Sequence, residues 1–404
     1  MIPLLILVFI SFYYAWRYSR TTIDPDWALF NLPGFTGAHY GRDFVDCKTP
    51  AVHYWYWTLT RLVGRSVPNV KFIHHLLVGY GGILIYLLTG NAWNGIAFAV
   101  LINSGFLLAF HGNVGQIPAV CVAVAIGCGN PYLAAAMTSL AVLYEPKLLP
   151  SVAAMMLIYG WWLMIPFGLM GIILLLCMRK LRPAVFCWLW ESSVTIPRRM
   201  KDKRTGKGEW VPWYTSFGML YILPWVIAAV WARPDVLYWI PPVLYLLLTG
   251  VGGVIRPNHL LPLVAWIAMA GISPEWVLAL WAVDWLSAGL YLGNIWHRFY
   301  LALEEPNQEA KIAGEWLKPM EGDLWVSGIH TGVYVYAQKP PTYGMTEQIE
   351  VRSVAFERRR RMVDKWSRKP PKWIALTMQP ELQLNPQGYQ LVYEVGDTKI
   401  GRKL

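Results

Sequence analysis

Phe72-Ile-His-His-Leu-Leu-Val-Gly-Tyr-Gly-Gly-Ile-Leu-Ile-Tyr-Leu-Leu-Thr89 is a run of 18 residues without Asp, Glu, Lys or Arg. A hydrocarbon core of about 30 Å takes roughly 20 apolar residues as a helix, so the run reads as a membrane span. Upstream, Ile2–Trp16 opens the chain as another apolar helix. It lacks a basic start and a small-residue cleavage site, and so reads as an uncleaved first span. Downstream, apolar stretches recur at Trp93–Phe110, Ile117–Cys128, Tyr132–Leu143, Leu148–Met178, Ala184–Ile196, Trp213–Trp231, Val236–Gly250, His259–Ala270 and Glu275–Trp296. From His297 onward the composition is that of soluble protein. The expectation is an α-helical polytopic membrane domain of about 11 spans over residues 1–300, and a small soluble α/β domain over 301–404.

Composition excludes a large soluble enzyme. Only 15% of the 404 residues are charged and 56% are hydrophobic, where soluble domains carry about 25% charge. The 23 Trp and 22 Tyr suit membrane–water interfaces, because their rings are apolar with one polar edge. Five Cys, four of them within apolar segments and none in a CxxC pair, make neither a disulfide framework nor a zinc site. The net charge of +11 is uneven: residues 297–404 hold 16 Lys/Arg against 13 Asp/Glu, which leaves +8 for the membrane part. No folded basic module for nucleic acid is visible. Membrane lipids with anionic head groups are the expected partners.

Several spans are shorter than a bilayer requires, and Pro118, Pro131, Pro150, Pro166, Pro183, Pro224 and Pro262 punctuate them. Such helices persist at membrane depth only where protein or a water-filled cavity covers them. A bundle around a cavity therefore fits better than a simple anchor. The loop Arg198–Glu209, with six basic and two acidic residues, argues for the cytoplasm. Counting spans from a cytoplasmic N-terminus places it outside, so sidedness stays open at this level. In the tail, Gln308–Leu317 reads as helix, Asp323–Ser327 as a strand, Val333–Tyr336 as a second strand, Lys372–Thr377 as a third and Gln390–Val395 as an edge hairpin strand. His74-His75 is expected in the interface, and Asp284 facing the bundle interior.

The chemistry concentrates between the first two spans, in the segment 17–71. Asp24, Asp26, Asp43 and Asp46 lie within 23 residues, among Trp27, Phe30, Phe35 and Phe44. Each has an ordinary role open to it: Asp24 before Pro25 forms turns, and Asp43 and Asp46 can pair with Arg42 and Lys48. Four carboxylates held at a membrane boundary are nevertheless costly enough to suggest a function.

The segment Gly37-Ala-His-Tyr-Gly-Arg-Asp-Phe-Val-Asp-Cys-Lys-Thr-Pro50, some 20 residues after an acidic pair, resembles the first extracytoplasmic loop of GT-C glycosyltransferases. It is closest to the branch holding protein O-mannosyltransferases and the aminoarabinose transferase of lipid A. Those enzymes show Asp-Glu and Lys-Pro-Pro where this chain has Asp24-Pro-Asp26 and Lys48-Thr-Pro50. Leu143-Tyr-Glu-Pro-Lys147 is similar to the family's lysine after a middle span, and Ile255-Arg-Pro-Asn-His-Leu-Leu-Pro262 to its late turn before a span. The tail also looks like the small domain that ends many bacterial members.

The resemblance implies a polyprenyl-phosphate sugar donor, an acceptor hydroxyl on a lipid, glycan or protein, and displacement with inversion. A carboxylate must take the hydroxyl proton, a role that falls to Asp24 or Asp26. The leaving phosphate needs cations: Lys48, Lys147, Arg256 and His259. Arg42, Asp43, Asp46 and His53 are assigned to the acceptor or to organising the loop. Carboxylates suit a hard divalent cation, yet the resemblance implies none, so neither metal nor other cofactor is expected. It also implies an inner or plasma membrane, with segment 17–71 and the tail extracytoplasmic. A transporter of an amphipathic anion, or another lipid-linked glycan transferase or ligase, are the competing readings. Transport would favour paired internal repeats, and the sequence has none.

Overall fold

The computed structural model describes residues 2–21, 25–40, 44, 50–104, 107, 115–160, 168–169, 172, 213–251, 257–290, 307–327, 330–342, 368–377 and 388–404. The chain divides into two compact units. One is built from Met1–Arg20, Lys71–Lys180 and Lys201–Tyr291; the other from Thr21–Val70, Leu181–Met200 and Leu292–Leu404. Most of the segment between the first two spans thus belongs to the same unit as the tail, far away in sequence.

The first unit is a helix bundle: α1 (Ile2–Ser19), α4 (Val67–Thr89, from Lys71), α5 (Ala92–Ile102), α6 (Gln116–Gly127), α7 (Pro131–Tyr144), α8 (Leu149–Tyr159), α9 (Trp213–Ala232), α10 (Val236–Val251), α11 (Val264–Met269) and α12 (Pro274–Leu290). Among the described residues α1 and α4 are long and apolar enough to cross a bilayer, and eight shorter apolar helices accompany them. The expected spans over 161–212 fall almost wholly outside the described residues. Asn91 and Asn130 cap α5 and α7, each side chain accepting from two backbone amides, which satisfies donors that helix starts leave open.

Small residues let these helices close up. A Cβ on Gly82 of α4 would stand 2.6 Å from the Gly95 carbonyl of α5, and one on Gly79 would stand 2.7 Å from Ser11 of α1. In a lipid environment such close contact replaces the hydrophobic drive that is missing between helices. Ser151 donates to the Pro241 carbonyl at 2.7 Å and Tyr238 to the Trp266 carbonyl at 2.6 Å, tying α8 and α11 to α10.

The second unit contains α2 (Pro25–Thr36), α3 (Pro50–Val63), a helix α13 over 307–317, α14 (Gly332–Ala337) and strands β1 (Leu324–Ser327), β2 (Trp373–Leu376), β3 (Tyr389–Val395) and β4 (Thr398–Lys403). The segment that reads as a polar-aromatic loop therefore carries two helices. They pack on each other, with Gly34 pressed against Thr60 and Trp27 edge-on to Tyr56 at 5.5 Å. The sheet order is β1-β2-β4-β3, with β1 and β2 parallel and the remaining pairs antiparallel. Strands β1, β2 and β3 fall where the sequence placed them, whereas β4 was not read from it and Val333–Tyr336 is not a strand. It lies inside α14, with Val333, Tyr334 and Val335 all buried. A short apolar run has no periodicity to separate helix from strand. Here packing decides: α14 lies on α2, and Tyr334 hydroxyl accepts from the Val326 amide of β1 at 2.8 Å.

Candidate functional site

The N-terminal half of α4 gathers polar groups from several helices. Lys71, His74 and His75 lie on one face at spacings of three and four, and all are buried. His74 Nε2 is 2.9 Å from Gln116 Oε1 at the start of α6, and Gln116 Nε2 donates to the Ile102 carbonyl at 3.0 Å. Tyr18, at the end of α1, donates to the Asn103 carbonyl at 2.5 Å and packs edge-on to His75 at 4.9 Å. His74 and His75 are thus enclosed by protein, because α1, α5 and α6 close around this part of α4; Gln116 gives the buried His74 ring the hydrogen-bond partner it needs.

Two predicted donor-site residues fall on described 3₁₀ segments of the first unit. After the short step from Gly127 to Pro131, α7 packs along α6. Lys147 follows α7, half-buried in the 3₁₀ turn Pro146–Leu148. His259 lies half-buried in the 3₁₀ segment Pro257–Leu263, which packs on α6. An apolar cleft of about 180 Å³ opens between α6, α7 and α8, lined by Ala134, Thr138, Val152, Met155 and Met156 among others.

In the second unit, His53 is buried on α3 inside an aromatic cage. Tyr40, Phe44 and Phe30 stand 4.9, 5.1 and 6.0 Å from its ring. Asp26 falls in the first turn of α2. Its side chain, and all of Asp24, Arg42, Asp43, Asp46, Lys48 and Arg256, lie outside the described residues, as does the Asp284 side chain on α12. Among the described residues, no three His, Cys, Asp or Glu gather as a metal site would require. Lys71, Gln116, Tyr18 and Asn103 were not singled out from the sequence. The available signal was a Lys-x-x-His-His spacing at the mouth of an otherwise apolar span.

No family model matches this chain, and no curated protein matches its sequence. A solved structure does: the crystal structure of ArnT from Cupriavidus metallidurans bound to undecaprenyl phosphate. It superposes with a TM-score of 0.58 and 13% identity, covering 99% of this chain and 97% of that one. The chain has the fold of ArnT. The likeness is one of fold, and its coverage takes in bundle and tail alike.

Proposed function

We propose that this protein is a membrane glycosyltransferase that moves a sugar from a polyprenyl-phosphate donor to an acceptor hydroxyl at the extracytoplasmic membrane face, with inversion. The observation that carries the reading is the fold shared along nearly the whole of both chains with an ArnT that holds undecaprenyl phosphate. The loop motif Gly37–Pro50 supports it independently, being a matter of residues where the likeness is one of shape.

In this mechanism Asp24, with Asp26 as the alternative, takes the proton of the acceptor hydroxyl as its oxygen attacks the anomeric carbon. Such assistance contributes about 10²–10⁴-fold. The bond to the phosphate oxygen breaks as the new glycosidic bond forms, and charge develops on the departing polyprenyl phosphate. Lys48, Lys147, Arg256 and His259 stabilise that charge. The apolar cleft between α6, α7 and α8 offers the isoprenoid chain a surface. Asp43, Asp46, Arg42 and His53 hold the first segment in shape or meet the acceptor. No metal ion is needed in this scheme.

Asp24→Asn and Asp26→Asn, purified and assayed with polyprenyl-phosphate sugars, test the base. Loss of transfer in at least one, with donor binding kept, is the expected result. Full activity in both folded variants removes the carboxylate from the mechanism.

A further inference from the structure

The helix α3 has two faces of different character. Val52, His53, Tyr56, Leu59 and Thr60 form the buried one, turned toward α2. Tyr54, Trp57, Thr58, Arg61 and Leu62, spaced three and four apart, form an exposed stripe in which Leu62 is 71% and Tyr54 51% accessible. The helix contains no Asp or Glu. The exposed stripe of a soluble helix would be charged on balance and poor in aromatics. This one instead pairs Trp, Tyr and Leu with arginine, the composition of helices that lie in a membrane interface. Arg61 stacks its guanidinium over the Trp57 ring at 5.2 Å, so the cation and the aromatic face the same way.

The chain itself keeps this stripe near a bilayer. Only Gly64-Arg65-Ser66 separates α3 from α4, and α4 is a 23-residue apolar helix long enough to span. Three residues reach about 10 Å at most. The link is also drawn in, because the Asn69 side chain donates back to the Val63 carbonyl at 3.5 Å. Arg65 in this link is exposed as well.

We propose that the exposed face of α3 is a membrane-docking surface. It lies in the head-group layer of the leaflet that α4 enters, with Tyr54, Trp57 and Leu62 at the acyl boundary and Arg61 and Arg65 on anionic lipid phosphates. Burial of such a face reaches about 5–10 Å into the boundary, and arginines near an anionic surface add electrostatic attraction. Because α2 packs on α3, this contact also fixes the height of α2 and of the acidic residue Asp26 in its first turn. The docking does not depend on the proposed transfer reaction and is tested without it.

The full-length protein is reconstituted in vesicles of phosphatidylcholine alone or mixed with phosphatidylglycerol. A fluorophore is attached at Leu62→Cys, with exposed Lys318→Cys in the tail as the control, both in a background cleared of reactive cysteines. Both positions are surface positions, so folding is not at stake. Nitroxide-bearing lipid should quench the label at 62 strongly and the label at 318 weakly, while aqueous iodide does the reverse. Arg61→Gln with Arg65→Gln should reduce lipid quenching in the anionic vesicles and leave it unchanged in phosphatidylcholine. Equal iodide access at both positions in both vesicles overturns the proposal. Efficient cross-linking of two copies through Leu62→Cys, with no lipid quenching, overturns it in favour of a second chain as the occupant.

Discussion

Acidification should loosen the second unit through His330. After β1 ends at Ser327 the chain returns at His330, whose amide donates to Thr377 Oγ1 at 3.2 Å; that hydroxyl in turn donates to the Ser327 carbonyl at 3.0 Å. The pinned backbone leaves the imidazole only 4% exposed, with Nδ1 lacking a hydrogen-bond partner. Protonation would put a buried charge there, so burial pushes the His330 pKa down to about 4, from 6.5. The folded state then binds fewer protons than the unfolded chain between these values, and its stability falls as pH drops through that window. Above pH 6.5 the contribution is fully present. Between pH 6.5 and 5, before most carboxylates titrate, the loss is about 2 kcal/mol at roughly 1.4 kcal/mol per pH unit. Hydrogen exchange of peptides covering 324–342 and 388–404 reads this directly, as an increase of about 30-fold in opening. His330→Phe keeps a buried ring without the titration, and should flatten the pH dependence in that window. An equally steep loss in the variant, or none in the wild-type chain, would refute the reasoning.

Further outcomes follow from other contacts. Gly82→Ala drives a methyl group against the Gly95 carbonyl, so the bundle should lose about 1–3 kcal/mol, visible as a lower melting temperature in detergent; an unchanged value means that α4 and α5 separate freely. His74→Leu leaves Gln116 Oε1 without its imidazole partner in a buried setting, for a cost of about 1–3 kcal/mol. Its companion Gln116→Leu should cost less when combined with it than alone, and strict additivity would mean the two do not interact. Lys147→Ala should raise the donor's KM more than the acceptor's in a sugar-transfer assay, and an unaltered donor dependence would take Lys147 out of the phosphate site.

The sequence determined where several apolar helices of the bundle lie, because apolar runs in a membrane protein are read by length and composition alone. Phe72–Thr89, Ile117–Cys128, Tyr132–Leu143 and Trp213–Trp231 each match an observed helix to within a few residues at the ends. The tail strands Leu324–Ser327 and Trp373–Leu376 were equally legible, as short β-rich runs between turn residues. Parallel pairing of these two strands was not legible, since it joins segments 49 residues apart. Nor was the helical state of Val333–Tyr336, where packing on α2 overrides an ambiguous pattern. The burial of Lys71, His74 and His75 was equally hidden: spacing puts them on one face, but only α1, α5 and α6 turn that face into an interior. Composition sets which surface leaves water. Which polar groups must then satisfy one another is settled only when distant helices meet, because a hydrogen bond extends over a few ångströms and the sequence holds no record of that approach.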